Sequence, residues 1–295
     1  MRSPEIRGLR VVRGGAVQGM RPVKVIAVTG GKGGVGKTSV AVSLATALAA
    51  GGQRVMLLDG DLGLANVDVF LGLTPRYTMA QVLSGERRLE EVVLDAPQGF
   101  KVVPGASGVA ALATLGAAEH LGIVQGFSSL ATGLDVLIVD TAAGIAHGVL
   151  QFSQAAQQVL LVVCDEPASL TDAYALVKVL SRNHGVRSFR VLANRIRGAD
   201  GGESLYRNLE RVTTRFLDVT LEFAGTIPED PWLPRANREQ RTVLEVAPGS
   251  PAAIAFKKLA GAVDKWPVPA GPRGNVEFFM ERLVGRRERR LEVVQ

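Results

Sequence analysis

Ten consecutive residues constrain this chain more than anything else in it. Gly30-Gly31-Lys32-Gly33-Gly34-Val35-Gly36-Lys37-Thr38-Ser39 follow directly on a β-branched apolar run at 23–28 and open a helical pattern at 38–50. The glycines let successive backbone N–H groups curl round an anion, and the helix N-terminus adds partial positive charge. Lys37 is placed to reach β- and γ-phosphates, and the Thr38 hydroxyl to ligate Mg²⁺. A turn without chemical purpose would need neither the strand before it nor the helix after it, so the segment reads as a P-loop.

Further apolar runs at 55–58, 100–103, 134–139, 159–164, 189–193 and 223–227 alternate with helical patterns at 116–130, 169–182, 203–216 and 251–263. Strands that alternate with helices build βαβ units, so the expected class is α/β. The sheet should be mainly parallel and twisted, with about seven or eight strands and helices on both faces. No internal repeat divides the chain. Pro267, Pro269 and Pro272 mark a boundary no helix can cross. The expected division is a basic extension at 1–22, the main domain at 23–265, a Pro/Gly linker at 266–274 and a tail at 275–295.

The net charge of +6 invites a nucleic-acid reading until it is divided along the chain. Residues 1–24 carry six basic residues against one acidic, and 273–295 six against four, which leaves the core at −1. Direct DNA binding is therefore not expected. No apolar run approaches the roughly 18 residues of a membrane span, and residues 1–24 hold no apolar stretch of the secretory kind. A cytoplasmic protein is expected. The single cysteine, Cys164, ends an apolar run and reads as a small core residue.

In the tail, Val276, Phe279, Met280, Leu283 and Val284 fall on one face of a helix, with Arg282, Arg286 and Arg287 close by. Docking on the protein's own core and insertion into a membrane interface both stay open.

Polar residues cluster where apolar runs end. Asp59 and Asp61 follow the second run, and Asp140 closes the fourth in a Walker B pattern, Val136-Leu137-Ile138-Val139-Asp140. Carboxylates at the C-terminal ends of parallel strands point into the crevice where such sheets bind ligands. Glu166 follows the fifth run, Asn194 ends the sixth, and Pro228-Glu229-Asp230 follow the seventh. A strand-end Asn, a proline turn and a surface Glu also have ordinary structural readings, which stay open here.

The second lysine, Lys32, makes the loop resemble the deviant Walker A motif of the MinD/ParA family of ATPases. The resemblance implies ATP or ADP with Mg²⁺ as cofactors, and a homodimer in which Lys32 reaches the partner's nucleotide. It implies catalytic roles for Lys32, Lys37 and Asp61, with Asp61 positioning the attacking water, and metal-site roles for Thr38, Asp59 and Asp140. Gly31 to Ser39, through Gly33, Gly34, Val35 and Gly36, would cradle the phosphates. Asn194, Pro228, Glu229 and Asp230 would recognise adenine, and Glu166 would approach the nucleotide in the dimer.

Asp61-Leu62-Gly63-Leu64-Ala65-Asn66-Val67-Asp68, Asp140-Thr141-Ala142-Ala143-Gly144-Ile145 and Cys164-Asp165-Glu166-Pro167 look most like the FlhG/FleN branch. So does Glu277-Phe278-Phe279-Met280-Glu281-Arg282-Leu283 in the tail. That resemblance implies an ATP-dependent antiactivator of a flagellar transcription activator that sets flagellar number. It also implies a flagellar SRP-type GTPase as partner and contact with the inner-membrane surface through the tail. Two departures stand out. Gly60 replaces the alanine of many relatives, and residues 1–20 carry no clear GTPase-activating motif. A MinD-type septum-site ATPase is the nearest alternative and a ParA-type partition ATPase a more distant one. Iron–sulfur carriers of this fold need interface cysteines that a lone Cys164 cannot supply.

Overall fold

The computed structural model describes residues 23–61, 65–105, 126–127, 130 and 133–267. The expected extension at 1–22, most of the helical pattern at 116–130, and the tail with its amphipathic stripe lie outside the described residues.

Eight strands form one sheet: β1 (Lys24–Thr29), β2 (Val55–Gly60), β3 (Leu94–Asp95), β4 (Lys101–Val103), β5 (Val136–Thr141), β6 (Gln158–Cys164), β7 (Ser188–Ile196) and β8 (Thr220–Pro228). Their order is β3-β4-β2-β5-β1-β6-β7-β8, and every pairing is parallel except β3 with β4. The seven expected strands are all present. The eighth, β3, is a two-residue edge strand too short to leave an apolar run.

The sheet is covered on both faces. Described helices are α1 (Lys37–Ala50), α2 (Val67–Leu71), α3 (Met79–Leu83), α4 (His147–Ala155), α5 (Pro167–His184), α6 (Gly201–Phe216), α7 (Trp232–Arg238), α8 (Val243–Val246) and α9 (Pro251–Asp264). Side chains alternate along each strand, so Ile26 and Val28 pack with α1 and α9 on one face, while Val25 and Ala27 pack with α3 and α4 residues on the other. A third cluster joins Leu161, Val163 and Val191 to α5 and α6. Helix ends follow local chemistry: α5 begins on Pro167 and stops at the left-handed Gly185. For α9, the Ser250 hydroxyl accepts the Ala253 N–H, and Lys24 donates to the carbonyls of Val263 and Asp264 at the far end.

Gly60 has a physical reason in this core. A Cβ there would stand 2.9 Å from the carbonyl oxygen of Asp140 and 3.1 Å from the Phe152 ring and from Val139. The Asp140 carbonyl on the neighbouring strand, with Phe152 and Val139 beside it, thus leaves no room for an alanine methyl without a shift.

Candidate functional site

In β1, β2 and β5 the chain repeatedly ends an apolar strand in a polar residue on the same side of the sheet. β1 lies between β5 and β6 and runs straight into the glycine loop. Asp59 on β2 and Asp140 on β5 are register partners, so their carboxyl groups lie side by side.

The loop's glycines are required by what surrounds them. A Cβ on Gly31 would stand 2.2 Å from the backbone carbonyl of Asp172 in α5, so only a glycine lets the loop lie against that helix. Gly36 takes φ 92 at the start of α1, and a Cβ there would meet the Asn194 amide nitrogen at 2.5 Å. That nitrogen donates to the Val35 carbonyl at 2.8 Å, tying the end of β7 to the loop. The Gly144 N–H donates to the Gly30 carbonyl at 3.0 Å and ties the segment after Asp140 to the loop's other end.

Lys37 is buried, with its ammonium 3.5 Å from the Lys32 carbonyl oxygen. Burial lowers its pKa, against the opposing pull of Asp140 and Asp61. Asp140 is buried too. Desolvation drives its pKa up to about 7, opposed by a hydrogen bond with Thr38, and its Oδ1 has no partner.

Asp59 is raised to about 6 by desolvation, yet its two oxygens accept the backbone N–H groups of Asp61, Asn66 and Val67 at 2.9–3.0 Å. Its carboxylate therefore anchors the segment that carries Asp61 into α2. Of the three expected metal residues, Thr38 and Asp140 offer the better fit for a cation. The orphaned, buried Asp140 oxygen beside the Thr38 hydroxyl suits Mg²⁺ held jointly with phosphate oxygens. Among the described residues no cluster of three or more His, Cys, Asp or Glu is arranged to hold a metal alone.

The desolvated Asp140 carries a stability consequence. A folded pKa near 7 against an unfolded value of 3.8 means the native state binds this proton more tightly. The stability it contributes is complete below about pH 4 and is lost as pH rises through 7. Asp140→Asn should therefore stabilise the metal- and nucleotide-free protein at pH 8, by on the order of 1–3 kcal/mol, with the gain shrinking towards pH 4. Thermal unfolding across that range checks it, and a variant less stable at pH 8 would refute the assignment.

Beside the loop opens a cavity of about 1000 Å³, lined by Ser39, Asn194, Arg195, Pro228, Glu229 and Asn237 among others. The residues expected to recognise a base thus come together. Asp230 contributes differently from its neighbours: its carboxylate accepts the N–H groups of Trp232 and Ala252, both at 2.9 Å, and so caps α7 and α9. It holds the turn, whose residues Pro228, Glu229 and Asp230 line the cavity. Glu166 pairs with Lys32, Oε2 to Nζ at 2.5 Å, so the two residues expected at a dimer contact are joined within one subunit.

Sequence reasoning missed Arg195 and Arg197, which line the cavity, and Asn237 on α7. The first two stand in the same Asn194–Arg197 strand end and carry no motif signal of their own.

Residues 26–243 match the family model described as the CobQ/CobB/MinD/ParA nucleotide binding domain. The chain belongs to this family. The chain is 57% identical to the antiactivator FleN of Pseudomonas aeruginosa, over 90% of its own length and 95% of that protein's. Against the flagellum site-determining protein YlxH of Helicobacter pylori it is 32% identical, over 88% and 90% of the two chains. The septum site-determining protein MinD of Pyrococcus horikoshii, solved with Mg-ADP, superposes with TM-score 0.67 at 27% identity, covering 82% of this chain and 96% of that one. Within the MinD/ParA family the chain is of the FlhG/FleN type.

Proposed function

We propose that this protein is a Mg²⁺- and ATP-dependent regulatory ATPase that controls flagellar number, acting as an antiactivator of a flagellar transcription activator. The observation that carries the reading is the 57% identity spanning 95% of an antiactivator. The septum-site alternative rests on more distant likeness.

The chemistry follows from the residues. Backbone N–H groups from Gly31 to Ser39 hold the phosphates, and Lys37, poor in solvent beside Asp140 and Asp61, gains the phosphate oxygens as direct charge partners. Thr38 and Asp140 would hold Mg²⁺, which when bound neutralises charge building on the phosphate oxygens. Asp61 orients the attacking water. Asn194 and the turn at Pro228–Asp230 receive adenine. Lys32 leaves Glu166 and crosses to the partner's nucleotide, so the site is complete only in the dimer. Hydrolysis is then slow, well below the typical enzyme median of about 10 s⁻¹.

The main domain spans 23–265, and the tail supplies membrane contact. Among the described residues no helix is long and apolar enough to cross a membrane. A flagellar SRP-type GTPase is the second partner.

Deleting the gene should give cells with excess flagella, counted by electron microscopy. Normal flagella with minicells would favour the septum-site reading instead.

A further inference from the structure

Two described acids line the base cavity, Glu229 and Asp230, and every carboxylate oxygen they carry already accepts a hydrogen bond. The Asp230 oxygens take the backbone N–H groups of Trp232 and Ala252 and belong to the turn. Glu229 is held by a side chain instead. Its Oε2 accepts from Arg197 Nε and its Oε1 from Arg197 Nη2 at 3.1 Å, the two-point fork of a guanidinium on a carboxylate. Arg197 is the main reason the Glu229 carboxyl lies below the ordinary glutamate range.

The pair comes from the register of two strands. Near the end of β7 a bulge leaves Arg195, at φ 58, without a partner, so Asn194 pairs with Ile227 and Ile196 with Pro228. The Glu229 N–H then donates to the Ile196 carbonyl at 2.9 Å. Arg197 and Glu229 are the first residues past β7 and β8, and both stand on the cavity wall. Arg195 acts on Glu229 through charge, while its guanidinium donates to the Gly34 carbonyl at 3.4 Å.

The two purines meet such a wall differently. Guanine presents N1–H and N2–H₂ as paired donors, the same two-point pattern as the Arg197 fork, and a free carboxylate is the matching acceptor. Adenine presents one amino group beside the acceptor N1, so a free carboxylate would offer it one bond and one repulsion.

We propose that Arg197 is a positioning residue that sets the choice between purines: by engaging both Glu229 oxygens it withholds the acceptor pair that a guanine needs, and the cavity favours adenine. The inference rests on the reading of this cavity as the base site and adds how that site turns away the other purine.

The test uses the full chain with Mg²⁺ and the non-hydrolysable analogues AMP-PNP and GMP-PNP, each competed against fluorescent ADP, and reads the ratio of their dissociation constants. Both analogues carry the same phosphates, so a general loss of positive charge cancels in the ratio. Wild type should favour AMP-PNP. Arg197→Met should move the ratio about fivefold to twentyfold towards GMP-PNP, the low end for a two-point contact with a base, because an exposed ion pair is weak. Arg197→Lys keeps the charge without the fork and should fall between the two. In a Glu229→Gln background the acceptor pair is gone, so adding Arg197→Met should change the ratio by less than about twofold.

A wild type that does not distinguish the analogues, a ratio unmoved by Arg197→Met, a shift that persists in the Glu229→Gln background, or an Arg197→Met protein that loses both analogues each overturns the proposal. If wild type binds inorganic tripolyphosphate as tightly as AMP-PNP, the base-site reading itself has failed and the proposal with it.

Discussion

Lys37→Gln abolishes binding of Mg·ATP while leaving the fold intact. The glutamine keeps most of the length and loses the charge, so the two properties separate. In the nucleotide-free protein the Lys37 ammonium is buried, with Asp140 and Asp61 as its nearby countercharges and desolvation lowering its pKa. That charge is costly where it stands, so removing it should move Tm little. A bound polyphosphate changes the balance, because it brings several negative oxygens to a lysine already stripped of water. Truncating one partner of such a desolvated pair typically costs about 3–5 kcal/mol, a loss of at least roughly a hundredfold in affinity. Titration with a fluorescent ATP analogue measures the binding and thermal unfolding the fold. A loss below about fivefold would place the phosphates away from Lys37.

The parts legible in the sequence are those fixed by short-range pattern. Seven apolar runs became seven strands; the central ones, β1, β2, β5 and β6, are continuously apolar because parallel strands inside the sheet are buried on both faces, whereas β8 is a half-exposed edge strand. The site's carboxylates were legible for a related reason: in a parallel sheet all the C-terminal strand ends lie on one side, so Asp59 and Asp140 had to be neighbours.

What was illegible depends on segments far apart in the chain. Lys32 and Glu166 are separated by 134 positions, and no local rule pairs them within one subunit rather than across two. Asp230 reads as part of a turn, yet its second oxygen caps a helix that starts 21 residues later. The bulge at Arg195 depends on how β7 and β8 register, which neither strand specifies alone. Gly60 departs from the alanine of many relatives because the Asp140 carbonyl, Phe152 and Val139, from distant segments, crowd the place of a Cβ.

Asp61→Ala should have the opposite signature to Lys37→Gln: it binds ATP, forms the dimer and then stays there. The phosphate cradle consists of backbone N–H groups, Lys37 and Thr38, none of which the substitution touches. The position of residue 61 is also kept, because its own N–H, not its carboxyl group, is what Asp59 Oδ1 accepts at 3.0 Å. Removing the carboxylate takes a like charge away from Asp140, whose pKa Asp61 helps to raise. Asp140 then ionises more easily, which favours a bound cation, and one negative charge fewer faces the incoming polyphosphate. Ground-state binding should be equal to wild type or somewhat tighter. Turnover should fall by about two to four orders of magnitude, the usual range for losing a group that orients or deprotonates the nucleophile. With hydrolysis blocked, ATP cannot reset the subunits, so sedimentation in ATP should find dimer at concentrations where the hydrolysing wild type drifts back to monomer. An Asp61→Ala protein that binds ATP yet remains monomeric would separate nucleotide binding from assembly, since every group the cradle needs is still in place.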